Sequence, residues 1–97
     1  MAKSKTERVL RGWGAPDDTI TMPFSPTTDG IVLGAFAPQT SANSYVFIYD
    51  NGANYMRAMS SGGTGYGMTF PAVKGHTYTE HLIGNVQTKK YTFIPFR

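Results

Sequence analysis

The sequence predicts an all-β fold: a single antiparallel β-sandwich, jelly-roll-like, of about seven strands with a short N-terminal arm. Three observations predict it. Short segments dense in aromatic and β-branched residues recur at roughly ten-residue spacing, the pattern of a sandwich or barrel. Clusters of Gly, Asn and Pro cut them apart. No stretch has a helical period, and no solenoid-type repeat is present. Ninety-seven residues make one domain with a modest core, so oligomerisation would add stability.

The chain divides into a basic arm and hinge, residues 1–18, and a sandwich domain, residues 19–97. The arm holds Lys3, Lys5, Arg8 and Arg11. Its Val9 and Leu10 are too few to make a packed helical face, and so short a helix is marginal in water. The arm is therefore expected to order only against a neighbour. A turn-rich stretch with the only tryptophan, Trp13, follows. Thr19-Ile20-Thr21-Met22 alternates like a half-buried strand, and Pro23 and Pro26 stop it. Asp29-Gly30 reads as a tight turn into Ile31-Val32-Leu33-Gly34-Ala35-Phe36-Ala37, apolar on both faces. Gly34 there marks a bulge or a close backbone approach.

Ser44-Tyr45-Val46-Phe47-Ile48-Tyr49 is the strongest strand signal. Asp50-Asn51-Gly52 follows, and Asn-Gly is the best short hairpin signal, giving residues 54–59 as the partner strand. Residues 60–65 read as a flexible Gly-rich loop and residues 66–70 as a strand. Pro71-Ala72-Val73-Lys74-Gly75 reverses the chain. Residues 76–83 alternate, Gly84-Asn85 turns, and residues 90–96 form the last strand.

The formal net charge of +3 is local. Lys3, Lys5, Arg8 and Arg11 against Glu7 account for all of it. The rest carries Arg57, Lys74, Lys89, Lys90 and Arg97 against Asp17, Asp18, Asp29, Asp50 and Glu80. A neutral body disfavours nucleic acid, which calls for a clustered basic patch. There is no cysteine, so disulfides and thiolate zinc sites are excluded. No signal-peptide core is visible in residues 1–12 and no apolar run is long enough for a transmembrane helix, so no membrane insertion is expected.

Catalytic chemistry finds little to work with. Asp17, Asp18, Asp29 and Asp50 sit among turn residues, where Asp bonds the local backbone. His76 and His81, five apart on one expected strand, face opposite ways and cannot share a metal within one subunit. A metal on a symmetry axis, with one His per subunit, stays open. Glu80 faces away from His81. Ser44, Ser60 and Ser61 lie in no nucleophile elbow. Gly62, Gly63, Gly65 and Gly67 match no phosphate-binding fingerprint and precede a strand. The expectation is no catalytic residue, no metal and no cofactor. Tyr45, Phe47, Tyr49, Phe93 and Phe96 read as core or cross-strand pairs. Trp13, Tyr55 and Tyr66, in or beside loops, are the candidates for contact with another subunit or a ligand.

Asp29-Gly30-Ile31-Val32, then Phe70-Pro71-Ala72-Val73-Lys74-Gly75-His76-Thr77-Tyr78, then Phe93-Ile94-Pro95-Phe96 together resemble the small β-sandwich domains of tailed-bacteriophage structural proteins. Those domains occur in tail fibres, receptor-binding tips and capsid decorations. The likeness spans residues 29–97. It implies a non-enzymatic virion protein made in the host cytoplasm, homotrimeric, and docked to larger virion proteins through its N-terminal arm, with a host-surface glycan as a further partner. Multivalent display would strengthen weak sites by effective concentration. The arm lacks the heptads or collagen-like repeats of a fibre shaft. A carbohydrate-binding module using the loop aromatics is the alternative, and an OB-like nucleic-acid barrel ranks third.

Overall fold

The computed structural model describes residues 13–38, 43–60, 65–84 and 86–96. These residues form six strands, β1 (Gly30–Pro38), β2 (Ser44–Asp50), β3 (Ala53–Ser60), β4 (Tyr66–Ala72), β5 (Tyr78–Gly84) and β6 (Val86–Pro95). They build two antiparallel three-stranded sheets, ordered β4-β1-β6 and β3-β2-β5. The all-β expectation holds, with six strands in place of seven. The missing one is Thr19-Ile20-Thr21-Met22, which forms no strand. Its alternation is real, since Ile20 and Met22 pack against the core, but its backbone has no ladder partner at those positions.

Strand periodicity places the core. In β1, Val32 and Phe36 point inward; β4 adds Phe70 and Ala72, and β6 adds Tyr91 and Phe93. The second sheet contributes Val46 and Ile48 from β2 and Tyr78 from β5. All nine belong to one cluster, so the two sheets share a single apolar interior. Tyr78, Phe70, Ile48, Val32 and Val46 are wholly removed from solvent, each burial stabilising by about 1.5–3 kcal/mol for the aliphatic and Phe side chains.

The hairpin between β2 and β3 is the one the sequence announces. Asn51 and Gly52 both have positive φ, 49° and 84°, as a two-residue turn matching strand twist requires. The tip is anchored: Asn51 N–H donates to Thr77 O, and Thr77 N–H donates to Asn51 Oδ1, both at 2.8 Å. Pro71 lies inside β4, which is tolerable because β4 is an edge strand and needs ladder bonds on one side only. Gly34 is a site of close approach, since a Cβ there would lie 2.7 Å from the Phe36 ring. The register shift sits elsewhere, between Ala37 and Pro38 opposite β6.

Residues 13–24 act as a strap. Trp13 bridges Phe96 and Asp17 bridges Phe93 along the free edge of β6. The strap then leaves that sheet, and Phe24 bridges Tyr78 on β5. The hinge expected at residues 12–18 is thus, from Trp13 onward, laid against the folded body. The arm cations Lys3, Lys5, Arg8 and Arg11 lie outside the described residues, as do loop positions 61–64 and Asn85.

Gly30 is a backbone position with little room. A Cβ there would overlap the Ile94 carbonyl oxygen and lie 2.5 Å from the Phe93 ring. Gly30→Ala is expected to cost about 2–3 kcal/mol in urea unfolding. Gly52→Ala, where φ is positive but space is open, should cost only about 1 kcal/mol. Equal costs would show that Gly30 is not tightly enclosed.

Candidate functional site

The polar side chains are largely absorbed by the fold itself. Asp17 accepts from the Thr19 hydroxyl at 2.6 Å and the Thr19 N–H at 2.9 Å, which together hold its carboxyl below the usual range. This is the local turn bonding expected of it. Asp29 and Asp50 do something different, because their partners are distant in sequence. Asp29 Oδ1 accepts from Lys74 N–H at 2.8 Å, and Asp50 Oδ1 lies 2.7 Å from His76 Nδ1. Asp18 pairs with Lys90 at 3.1 Å.

Glu80 is the residue that sequence reasoning missed. It sits opposite the fully buried Ile48 on β2, and so has the core-facing register of Tyr78 and Leu82. Its carboxylate accepts from the Tyr91 hydroxyl of the other sheet and pairs with Lys89. The signal was present: a carboxylate at an inward position of an alternating strand requires a partner across the interior. Burial, aided by the Glu80 hydrogen bond, pushes the Tyr91 phenol far above its ordinary value. Burial also raises Tyr78, partly opposed by the Val73 N–H bond to its oxygen, and raises Tyr55, aided by Asp50.

The two histidines are not brought together. His76 precedes β5 and is held by Asp50. His81 is exposed on β5, with its ring against Phe47. Among the described residues no group of three or more His, Cys, Asp or Glu is placed to hold a metal, and no helix is long and apolar enough to cross a membrane.

The three aromatic candidates have different fates. Tyr66 packs its ring on Phe36 and shares a 2.6 Å hydrogen bond with the buried Ser44 of the opposite sheet. Tyr55 donates to Pro71 O at 3.0 Å and meets Phe70 and Tyr78 edge-on or tilted. Both therefore tie the sheets together. Only Trp13 presents a largely free ring: it is 47% exposed and backed by Phe96 at 4.7 Å between centroids.

The outward faces of both sheets have apolar side chains along their central strands, with polar ones among their neighbours. On β4-β1-β6, the outward register holds Ile31, Leu33 and Ala35 beside Pro71, Thr69 and Gly67 and beside Ile94, Thr92 and Lys90. Trp13, Gly14, Pro16, Ile31, Leu33, Thr69 and Ile94 line a groove of about 400 Å³ there. On β3-β2-β5, Tyr45 and Phe47 stand beside Arg57 and Met59 and beside His81 and Ile83. Met59 and Ile83 are 55% and 43% exposed. The chain matches no family model, and no curated protein or solved structure matches it either.

The raised phenols give a pH dependence. The unfolded chain loses tyrosine protons near pH 10, while folded Tyr55, Tyr78 and Tyr91 keep theirs to higher pH. Their stabilising contribution is thus full below about pH 10 and is lost as pH rises beyond it. Urea unfolding at pH 9 and pH 11 should show lower stability at pH 11, with a smaller decline in Tyr91→Phe. A wild-type protein equally stable at both values would contradict the burial of these rings.

Proposed function

We propose that this chain is a non-enzymatic structural and display protein of a virion, homotrimeric and docked to larger virion proteins by its N-terminal arm. We take its two sheets to be the layers of one β-sandwich, jelly-roll-like in kind. The observation that carries the reading is the apolar character of both outward sheet faces. A sandwich standing alone in water normally alternates apolar inward with polar outward. Here Leu33, Met59, Ile83, Trp13 and Phe96 are all exposed, which suits a subunit that packs against other chains.

The residues that carry the bacteriophage resemblance fall at strand ends and at one reversal. Pro71 and Ala72 end β4, the reversal follows with Gly75 at φ 83°, and Phe93-Ile94-Pro95 ends β6. Less favours the carbohydrate alternative, because the Tyr66 ring packs on Phe36 and the Tyr55 ring against Phe70 and Tyr78. Light scattering after size exclusion is expected to give three times the 10.6 kDa of one chain. Capsid or tail genes should flank its coding sequence. A protein monomeric at every concentration, or a flank of metabolic genes, would remove the basis of the proposal.

A further inference from the structure

We propose that copies of this chain meet through the outward face of the β4-β1-β6 sheet, with Trp13 of one copy seated in the groove of the next. This rests on the homo-oligomer reading above and assigns it a surface. The first reason is charge. In the register set out above, that face carries one formal charge, Lys90, and Asp18 neutralises it at 3.1 Å. Such a face asks for a partner without charge, and a second copy of itself supplies one. The opposite outward face cannot be matched to itself so readily. It carries Arg57, exposed and without an ion pair among the described residues, so two such faces would bring like charges together.

The second reason is shape. The face holds an apolar recess, and the half-exposed Trp13 ring forms one of its walls. The recess is floored by Ile31, Leu33 and Ile94, with Thr69 its only polar side chain. Its volume of about 400 Å³ falls in the range of sites that accept a bulky group. A patch with an exposed ring at the rim of an apolar recess can meet a rotated copy of itself, each ring covering the other's recess, as a contact repeated about an axis requires. Ala35 and Gly67 beside it are small and let a second sheet approach closely.

The Trp13 ring is also held in place before any contact forms. Trp13 stacks on Phe96, and Gly14 N–H donates to Pro95 O at 2.7 Å. Gly14 is needed there, since a Cβ would lie 2.7 Å from Pro95 Cγ. A pre-positioned aromatic loses little freedom on association, which favours it as an anchor.

Trp13 is the only tryptophan, so its emission reports the contact directly. On dilution, sedimentation mass should fall and tryptophan emission should shift to the red over the same concentration range. Trp13→Ala and Leu33→Arg should each raise the midpoint of association at least about tenfold, while Met59→Ala on the opposite face leaves it unchanged. Circular dichroism of each variant checks that it is folded. If both variants associate like the wild type, this surface is wrong while the homo-oligomer reading stands. If the wild type is monomeric throughout, both fall.

Discussion

The burial of Tyr78 is the interaction on which most of this structure depends. It opens β5, is wholly removed from solvent, and meets Phe70 of the opposite sheet with centroids 5.6 Å apart. A buried phenol must find a partner for its oxygen, and the Val73 N–H supplies it at 2.8 Å. That bond fixes the reversal between β4 and β5, where the chain passes from one sheet to the other. The backbone of Tyr78 meanwhile exchanges two hydrogen bonds with Phe24, which anchors the far end of the strap. One residue thus joins the two sheets, the turn between them and the segment that closes their side.

Around that centre, polar groups at the interface of the sheets are paired across it rather than excluded. Ser44 with Tyr66, Tyr55 with the Pro71 carbonyl, and Glu80 with Tyr91 and Lys89 all join one sheet to the other. Among the described residues no buried side-chain nitrogen or oxygen lacks a partner. Removing one member of such a pair leaves the other desolvated, at about 1–3 kcal/mol. These links are directional where apolar contacts are not, so they fix how one sheet sits on the other. They also explain why the polar side chains offer so little toward chemistry: most are already engaged in holding the fold.

The parts legible in the sequence were those governed by local backbone preference. Asn51-Gly52 demands positive φ, so the hairpin was readable to the residue. The aromatic and β-branched density of Ser44 to Tyr49 and the apolar run from Ile31 to Ala37 marked both central strands. What was not legible depended on contacts distant in the chain. Ile20 and Met22 have the periodicity of a strand, yet they belong to a strap that packs without pairing at those positions. Asp29 and Asp50 look like turn residues but bond Lys74 and His76. Tyr66 reads as a loop aromatic because nothing near it in sequence announces Ser44. Glu80 is the intermediate case, since its inward position was visible while its partner Tyr91 was not.

The outward faces acquire their meaning from this interior. A small domain buries a limited share of its surface, and here the inward positions are already filled. The outward positions of β1 and β2 nonetheless remain apolar. On a chain standing alone those positions would gain by being polar, and their exposure would favour aggregation. Packing against another chain would resolve both difficulties, adding apolar burial that a short chain cannot supply from within and linking stability to assembly. The two faces also differ in kind: one is neutral with a preset aromatic beside a recess, the other combines large rings with a lone cation. Two such faces of the same chain cannot serve one kind of contact equally well, because burying a cation without a partner costs far more than burying a neutral apolar surface.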